Sequence, residues 1–174
     1  ASEFISCVLE QNLDIAATRK NYVDYLAHRP RVEKIGEHGL FTDEGEPVVL
    51  GQVQNQVADH KGIVWTHVIS LRREDAARLG YDSAVQWMAL LRSKRAMLCK
   101  HMKIDSANLK WYAAFHNESH HPHVHLLVYS VKDGEGYLTK QSIEAMRSEL
   151  AHDIFRQDFA NIYEEQAQSR MDLK

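Results

Sequence analysis

The sequence predicts an α+β fold, a mainly antiparallel sheet with helices packed on it. Three observations carry that expectation. The segments Ile63–Leu71, Lys110–His116 and His123–Ser130 are dense in β-branched and aromatic residues and read as strands. The segments Ser83–Met102 and the stretch after Thr139 carry apolar residues at helical spacing. The resulting order of strand, helix, strand, helix, two strands and helix suggests an α+β sandwich.

Taken in chain order, Phe4–Glu10 alternates weakly and is a short strand candidate. Ala16–His28 reads as a helix that Pro30 stops, because proline cannot supply the backbone N–H. Gly36–Glu46, rich in Gly, Glu and Asp, reads as an exposed loop, and Pro47–Asp59 has helical spacing. Ile63–Leu71 is a buried strand. Ser83–Met102 is expected as one helix, with Trp87, Leu91, Leu98 and Met102 on one stripe. Lys110–His116 and His123–Ser130 follow as two strands, and Asp133–Gly136 carries a turn signal. Thr139 can cap a long helix whose stripe runs through Ile143, Met146, Leu150 and Ile154 and on to Ile162.

The 174 residues suit one domain, and a composition 44% hydrophobic and 26% charged is enough to bury a core. No apolar run approaches the ~20 residues a bilayer span requires, and the start lacks a basic-then-apolar signal pattern. Membrane insertion is therefore not expected. Cys7 and Cys99 form neither a metal spacing nor a disulfide framework, which points to a reducing cytoplasm.

A net charge of −3 argues mildly against a nucleic-acid partner. The distribution offsets that. Arg72–Lys110 holds nine basic residues against four acids, whereas Asp133–Lys174 holds five against nine. One sector could face phosphates while the other faces water, although two solvated helix faces would read the same.

The chemistry concentrates in two places. Eleven histidines is a high count, and five of them lie between His116 and His125. On a strand, His123 and His125 project to the same side, with Val124 opposite. A short loop through Pro122 would bring His116 beside them if the two strands are antiparallel neighbours. Three imidazoles on one face leave open coordination positions, as in a catalytic metal site. All-histidine ligation suits Mn, Co, Ni or Zn better than Mg. Glu118 is close enough to orient a ligand histidine or accept a proton. His120 and His121 fit less well and read as loop residues or DNA contacts. Upstream, Tyr22 and Tyr25 are three apart and share a helix face, with Arg29 one turn beyond. By themselves, such tyrosines read as packing residues. Beside a metal-polarised phosphate, a phenol can instead form a covalent phosphotyrosine.

With both elements in view, the chain resembles the HUH endonuclease superfamily, through His123-Val124-His125. More narrowly it looks like a MobP-type relaxase of conjugative and mobilisable elements. His116, Glu118, Pro122, His123 and His125 match the histidine block of that class, and Asp24-Tyr25-Leu26 matches its tyrosine block. The segments Trp65–Glu74 and Trp111–His116 also look like these proteins.

The resemblance implies a two-layer or three-layer sandwich. It implies a single nicking domain over residues 1–174, the N-terminal part of a longer protein, in the bacterial cytoplasm and able to travel to the recipient cell with the DNA. It further implies site-specific nicking and rejoining of single-stranded DNA at an origin of transfer. Tyr25 would be the nucleophile, with Tyr22 the alternative, and Glu118 would assist. His116, His123 and His125 would hold a divalent metal, manganese first, with Mg, Zn, Co or Ni as alternatives. Arg29, Arg31, Arg72 and Arg73 would contact DNA, and accessory relaxosome proteins and a coupling protein would be partners. Two alternatives share parts of this pattern. One is a rolling-circle replication initiator of the same superfamily, and the other a histidine-triad nucleotide hydrolase built on His121, His123 and His125.

Overall fold

A computed structural model of the chain describes residues 5–10 and 16–172. Its sheet has four strands in the order β1-β2-β4-β3, and every neighbouring pair is antiparallel. The strands are β1 (Ile5–Glu10), β2 (Trp65–Leu71), β3 (Leu109–His116) and β4 (His123–Ser130). The helices are α1 (Ala16–His28), α2 (Leu50–Asp59), α3 (Arg73–Leu79), α4 (Ala84–Arg92), α5 (Arg95–Met102), α6 (Lys140–Ile154) and α7 (Arg156–Asp172). The mixed α+β class is as the sequence leads one to expect. Of the first strand candidate, Phe4 lies outside the described residues.

Alternation along the strands sorts the core into two halves. On β3 and β4, Trp111, Ala113, Phe115, Val124, Leu126 and Val128 join the buried residues of α3 to α6. The intervening Tyr112, Ala114, Leu127 and Tyr129 join Val23, Leu26 and Ala27 of α1 and Val53 and Val57 of α2. A period of two thus gives the sheet two apolar faces, each covered by helices, and the sandwich has three layers. The Arg19 guanidinium, 4% exposed, ties α1 down by donating to the carbonyls of His60 and Gly62.

Three expectations are corrected, and one helix is added. Gly36–Glu46 is not simply an exposed loop. Leu40 and Phe41 are buried, and Phe41 exchanges backbone hydrogen bonds with Ala113 while Val32 bridges to His116. This segment covers the outer edge of β3, whose backbone groups would otherwise stand unpaired. The expected helix Ser83–Met102 is two helices, α4 and α5. The Ser93 hydroxyl donates to the Leu90 carbonyl at 2.5 Å, and Lys94 leaves helical geometry at φ −102°. The apolar stripe survives the break, since Trp87, Leu91, Leu98 and Met102 are all buried. The helix capped by Thr139 ends at Ile154, Phe155 is buried in the core, and Ile162, on the separate helix α7, is 48% exposed instead of extending the stripe. Helix α3 was not anticipated. It is short and charged, and Gly80 closes it with a φ of 83° that a side chain would strain.

Candidate metal centre

The β3–β4 hairpin sets the site directly. In its register His116 faces His123 and Ala114 faces His125. His116, His123 and His125 therefore project from the end of the sheet toward α1. Each offers one ring nitrogen, and the three atoms lie within 4.8 Å of one another. The ring centroids are 4.7 to 5.3 Å apart. His116 is fully buried, His125 is 6% exposed and His123 is half-buried.

The hydrogen bonds show which nitrogen of each ring is available. His116 donates from Nε2 to the Leu26 carbonyl at 3.1 Å, and His123 donates from Nδ1 to the His121 carbonyl at 2.9 Å. A carbonyl can only accept, so both tautomers are fixed and His116 Nδ1 and His123 Nε2 carry lone pairs. His125 Nδ1 meets the Tyr22 hydroxyl at 3.2 Å. Among the described residues His116 Nδ1 and His125 Nε2 are buried with no hydrogen-bond partner. An orphaned buried ring nitrogen is costly unless something ligates it. Here two orphans converge with a third lone pair, and the donor set fits a divalent cation bound at roughly 2 Å.

Electrostatics supports the same assignment. Burial pulls the pKa of His116 down to about 4; the Leu26 carbonyl opposes this and His123 adds to it. Burial pulls His125 down to about 3, helped by His116, His123 and Arg29. Both rings are neutral at neutral pH and need not lose a proton to bind a cation.

The two tyrosines of α1 adjoin the cluster. Their rings stack at 6.1 Å. Tyr25 lies 6.1 Å from His116 and 5.9 Å from His125, and it is 39% exposed. Tyr22 is half-buried and lies 6.2 Å from His125. The Arg29 guanidinium sits 5.0 Å from the Tyr25 ring centroid.

Glu118 turns to the arginines and not to a histidine. Its carboxylate lies 3.8 Å from Arg29 and 3.6 Å from Arg31, and the hydrogen bonds to the three histidine rings come from Leu26, His121 and Tyr22 instead. Arg31 adopts a positive φ of 75°, which directs its carbonyl to the Asn117 amide at 2.8 Å. Arg72 and Arg73 stand differently from Arg29 and Arg31. Arg72 pairs with buried Asp75 at 3.1 Å. Arg73 is spent on the loop between the ligand strands, donating to Asn117 Oδ1 at 2.7 Å, to the Ser119 carbonyl at 3.1 Å and to the Glu118 carbonyl. Sequence reasoning missed this clamp, because a loop-binding arginine and a phosphate-binding arginine look alike in one dimension.

The histidine-triad alternative can now be weighed. His120 and His121 are exposed in the loop, so His121, His123 and His125 do not form the cluster that a triad hydrolase would need. Trp87 and Trp111 are buried in the core, and Trp65 donates from Nε1 to the Gly136 carbonyl at 2.7 Å. Among the described residues no helix is long and apolar enough to cross a membrane.

A family model described as MobL relaxases matches residues 11–174. No curated protein and no solved structure matches the chain.

Proposed function

The chain belongs to the MobL relaxases, which nick DNA for conjugative mobilisation, and we propose that it does so at the His116, His123 and His125 cluster with Tyr25 as the nucleophile. The reading rests on one observation above the others: three imidazole lone pairs meet beside an exposed phenol. The His123-Val124-His125 element on β4 supports an HUH-type reading of the same site, within the relaxase class.

The three histidines would hold a divalent cation, manganese first, with Mg, Zn, Co or Ni as alternatives. Bound there, the cation would offset negative charge that builds on the phosphoryl group in the transition state. The protein's own groups do the rest. Tyr25 Oη forms a bond to phosphorus while the bond to the 3′ oxygen breaks. The phenolic proton leaves to solvent and the 3′ oxygen takes one up, giving a 5′-phosphotyrosine and a 3′ hydroxyl. The phosphodiester bond energy is kept in the adduct, so the reverse step rejoins the strand. Arg29 favours the phenolate as it develops, since a guanidinium over the ring is attracted to its electrons. Glu118 holds Arg29 and Arg31 beside the site, where both can reach a phosphodiester.

The substrate on this reading is single-stranded DNA from an origin of transfer. The test is incubation with Mn²⁺ and a single-stranded oligonucleotide carrying the origin of the protein's own element, followed by denaturing electrophoresis. A denaturation-resistant adduct is expected, lost on chelation with EDTA and lost in Tyr25→Phe. An adduct that persists in Tyr25→Phe and disappears in Tyr22→Phe would move the nucleophile to Tyr22. No adduct from any origin strand would overturn the mechanism.

A further inference from the structure

The three histidines differ in one respect that the metal reading leaves unexplained. His116 and His123 give their protons to carbonyl oxygens, at Leu26 and His121, and can hold no other tautomer there. His125 faces a hydroxyl, Tyr22 Oη, at 3.2 Å from Nδ1. A phenol can donate or accept, so this contact permits both tautomers of His125. If Tyr22 donates to Nδ1, the ring proton sits on Nε2, the buried nitrogen that points into the cluster and has no partner among the described residues. That state cannot ligate. If Tyr22 accepts from Nδ1, the Nε2 lone pair completes the triad.

Resting on the metal site proposed above, we infer that Tyr22 is a positioning residue for the cation and not a second nucleophile: its hydroxyl accepts the Nδ1 proton of His125 and thereby holds Nε2 in the ligating form. The direction of one hydrogen bond sets whether the site has two ligands or three. Cation binding reverses that bond relative to the alternative tautomer, with no proton gained or lost by the pair. The Tyr22 O–H then points away from the His125 ring, since an oxygen that accepts from Nδ1 cannot also donate to it. The division of labour follows from position. Tyr22 is half-buried against His125, while Tyr25, one turn on, has the exposure a nucleophile requires to meet a strand.

Two measurements test this. In the first, Mn²⁺ is titrated calorimetrically into the wild-type protein, Tyr22→Phe and Tyr25→Phe, and adduct yield is read at low and at saturating Mn²⁺. Loss of a group that orients a metal-bound histidine weakens affinity roughly 10- to 100-fold. That loss is expected for Tyr22→Phe, with adduct yield recovered at saturating Mn²⁺, while Tyr25→Phe binds Mn²⁺ as wild type does and forms no adduct. Unchanged Mn²⁺ affinity in Tyr22→Phe would overturn the inference, as would an adduct that saturating Mn²⁺ fails to restore.

In the second, the His125 ring nitrogens are observed by ¹⁵N NMR in wild-type protein loaded with diamagnetic Zn²⁺. A protonated Nδ1 coupled to its hydrogen is expected, and a bare Nδ1 would overturn the inference without any variant needing to fold. If wild type binds neither ion at this cluster, the metal reading itself fails, an outcome distinct from Tyr22 failing within a working site.

Discussion

His67 stands on β2 at 2% exposure, facing the apolar side chains of Leu91, Leu98, Met146 and Leu150. Neither ring nitrogen has a hydrogen-bond partner among the described residues. Burial holds its pKa down to about 4, against an ordinary value of 6.5. Between those two values the unfolded chain binds a proton that the folded chain refuses. Stability contributed by neutral His67 is therefore complete above pH 6.5 and is lost as pH falls toward 4. Each pH unit in that window removes about 1.4 kcal/mol. At pH 5, about 1.5 units below the unfolded value, the loss is about 2 kcal/mol. His67→Leu removes the titrating group and keeps an apolar side chain of similar size. Urea unfolding of both proteins at pH 7 and pH 5 measures the effect. The variant is expected to lose about 2 kcal/mol less than wild type on moving between the two conditions. An equal loss in both proteins would refute the reasoning, since it would mean that His67 is charged or paired inside the fold.

The remaining predictions concern the site and its support. Arg73→Ala removes three hydrogen bonds to the 117–119 loop. A destabilisation of about 2 kcal/mol is expected, with faster amide exchange confined to that loop, and protection equal to wild type would contradict the clamp. Glu118→Gln keeps a side chain of the same size beside Arg29 and Arg31 and removes its negative charge, so single-stranded DNA should bind more tightly by anisotropy, and weaker binding would mean that the charge is needed to hold the two arginines. Arg31→Ala should lower the log–log salt slope by about 0.7, the value for one phosphate contact on a single strand, and an unchanged slope would take Arg31 out of the interface. Trp87→Ala should cost about 3–5 kcal/mol in thermal unfolding, because Trp87 is fully buried against Phe115 and Tyr81; a cost under 1 kcal/mol would deny it that place in the core.

Much of this molecule is legible in one dimension because its strands repeat every two residues. His123 and His125 share a face by that period alone, and the six-residue connection from His116 leaves little choice but an antiparallel hairpin. The end of α1 is legible for a local reason: Pro30 cannot continue a helix. What was not legible depends on partners far along the chain. The burial of Phe41 is decided by the open edge of β3, some seventy residues away, and no local pattern announces it. The break at Ser93 and Lys94 leaves the apolar spacing intact, so periodicity could not reveal it. The engagement of Glu118 with Arg29 and Arg31, and of Arg73 with the loop, depends on three-dimensional pairing among charges whose sequence contexts look equivalent.

On the proposed reading, His116 Nδ1, His123 Nε2 and His125 Nε2 hold one cation beside Tyr25. Crystals soaked in Mn²⁺, with diffraction collected so that manganese scatters anomalously, test it directly. One anomalous peak is expected, roughly 2 Å from each of those three nitrogens. A manganese peak elsewhere on the protein, or a saturated soak with no peak at the triad, would contradict the account.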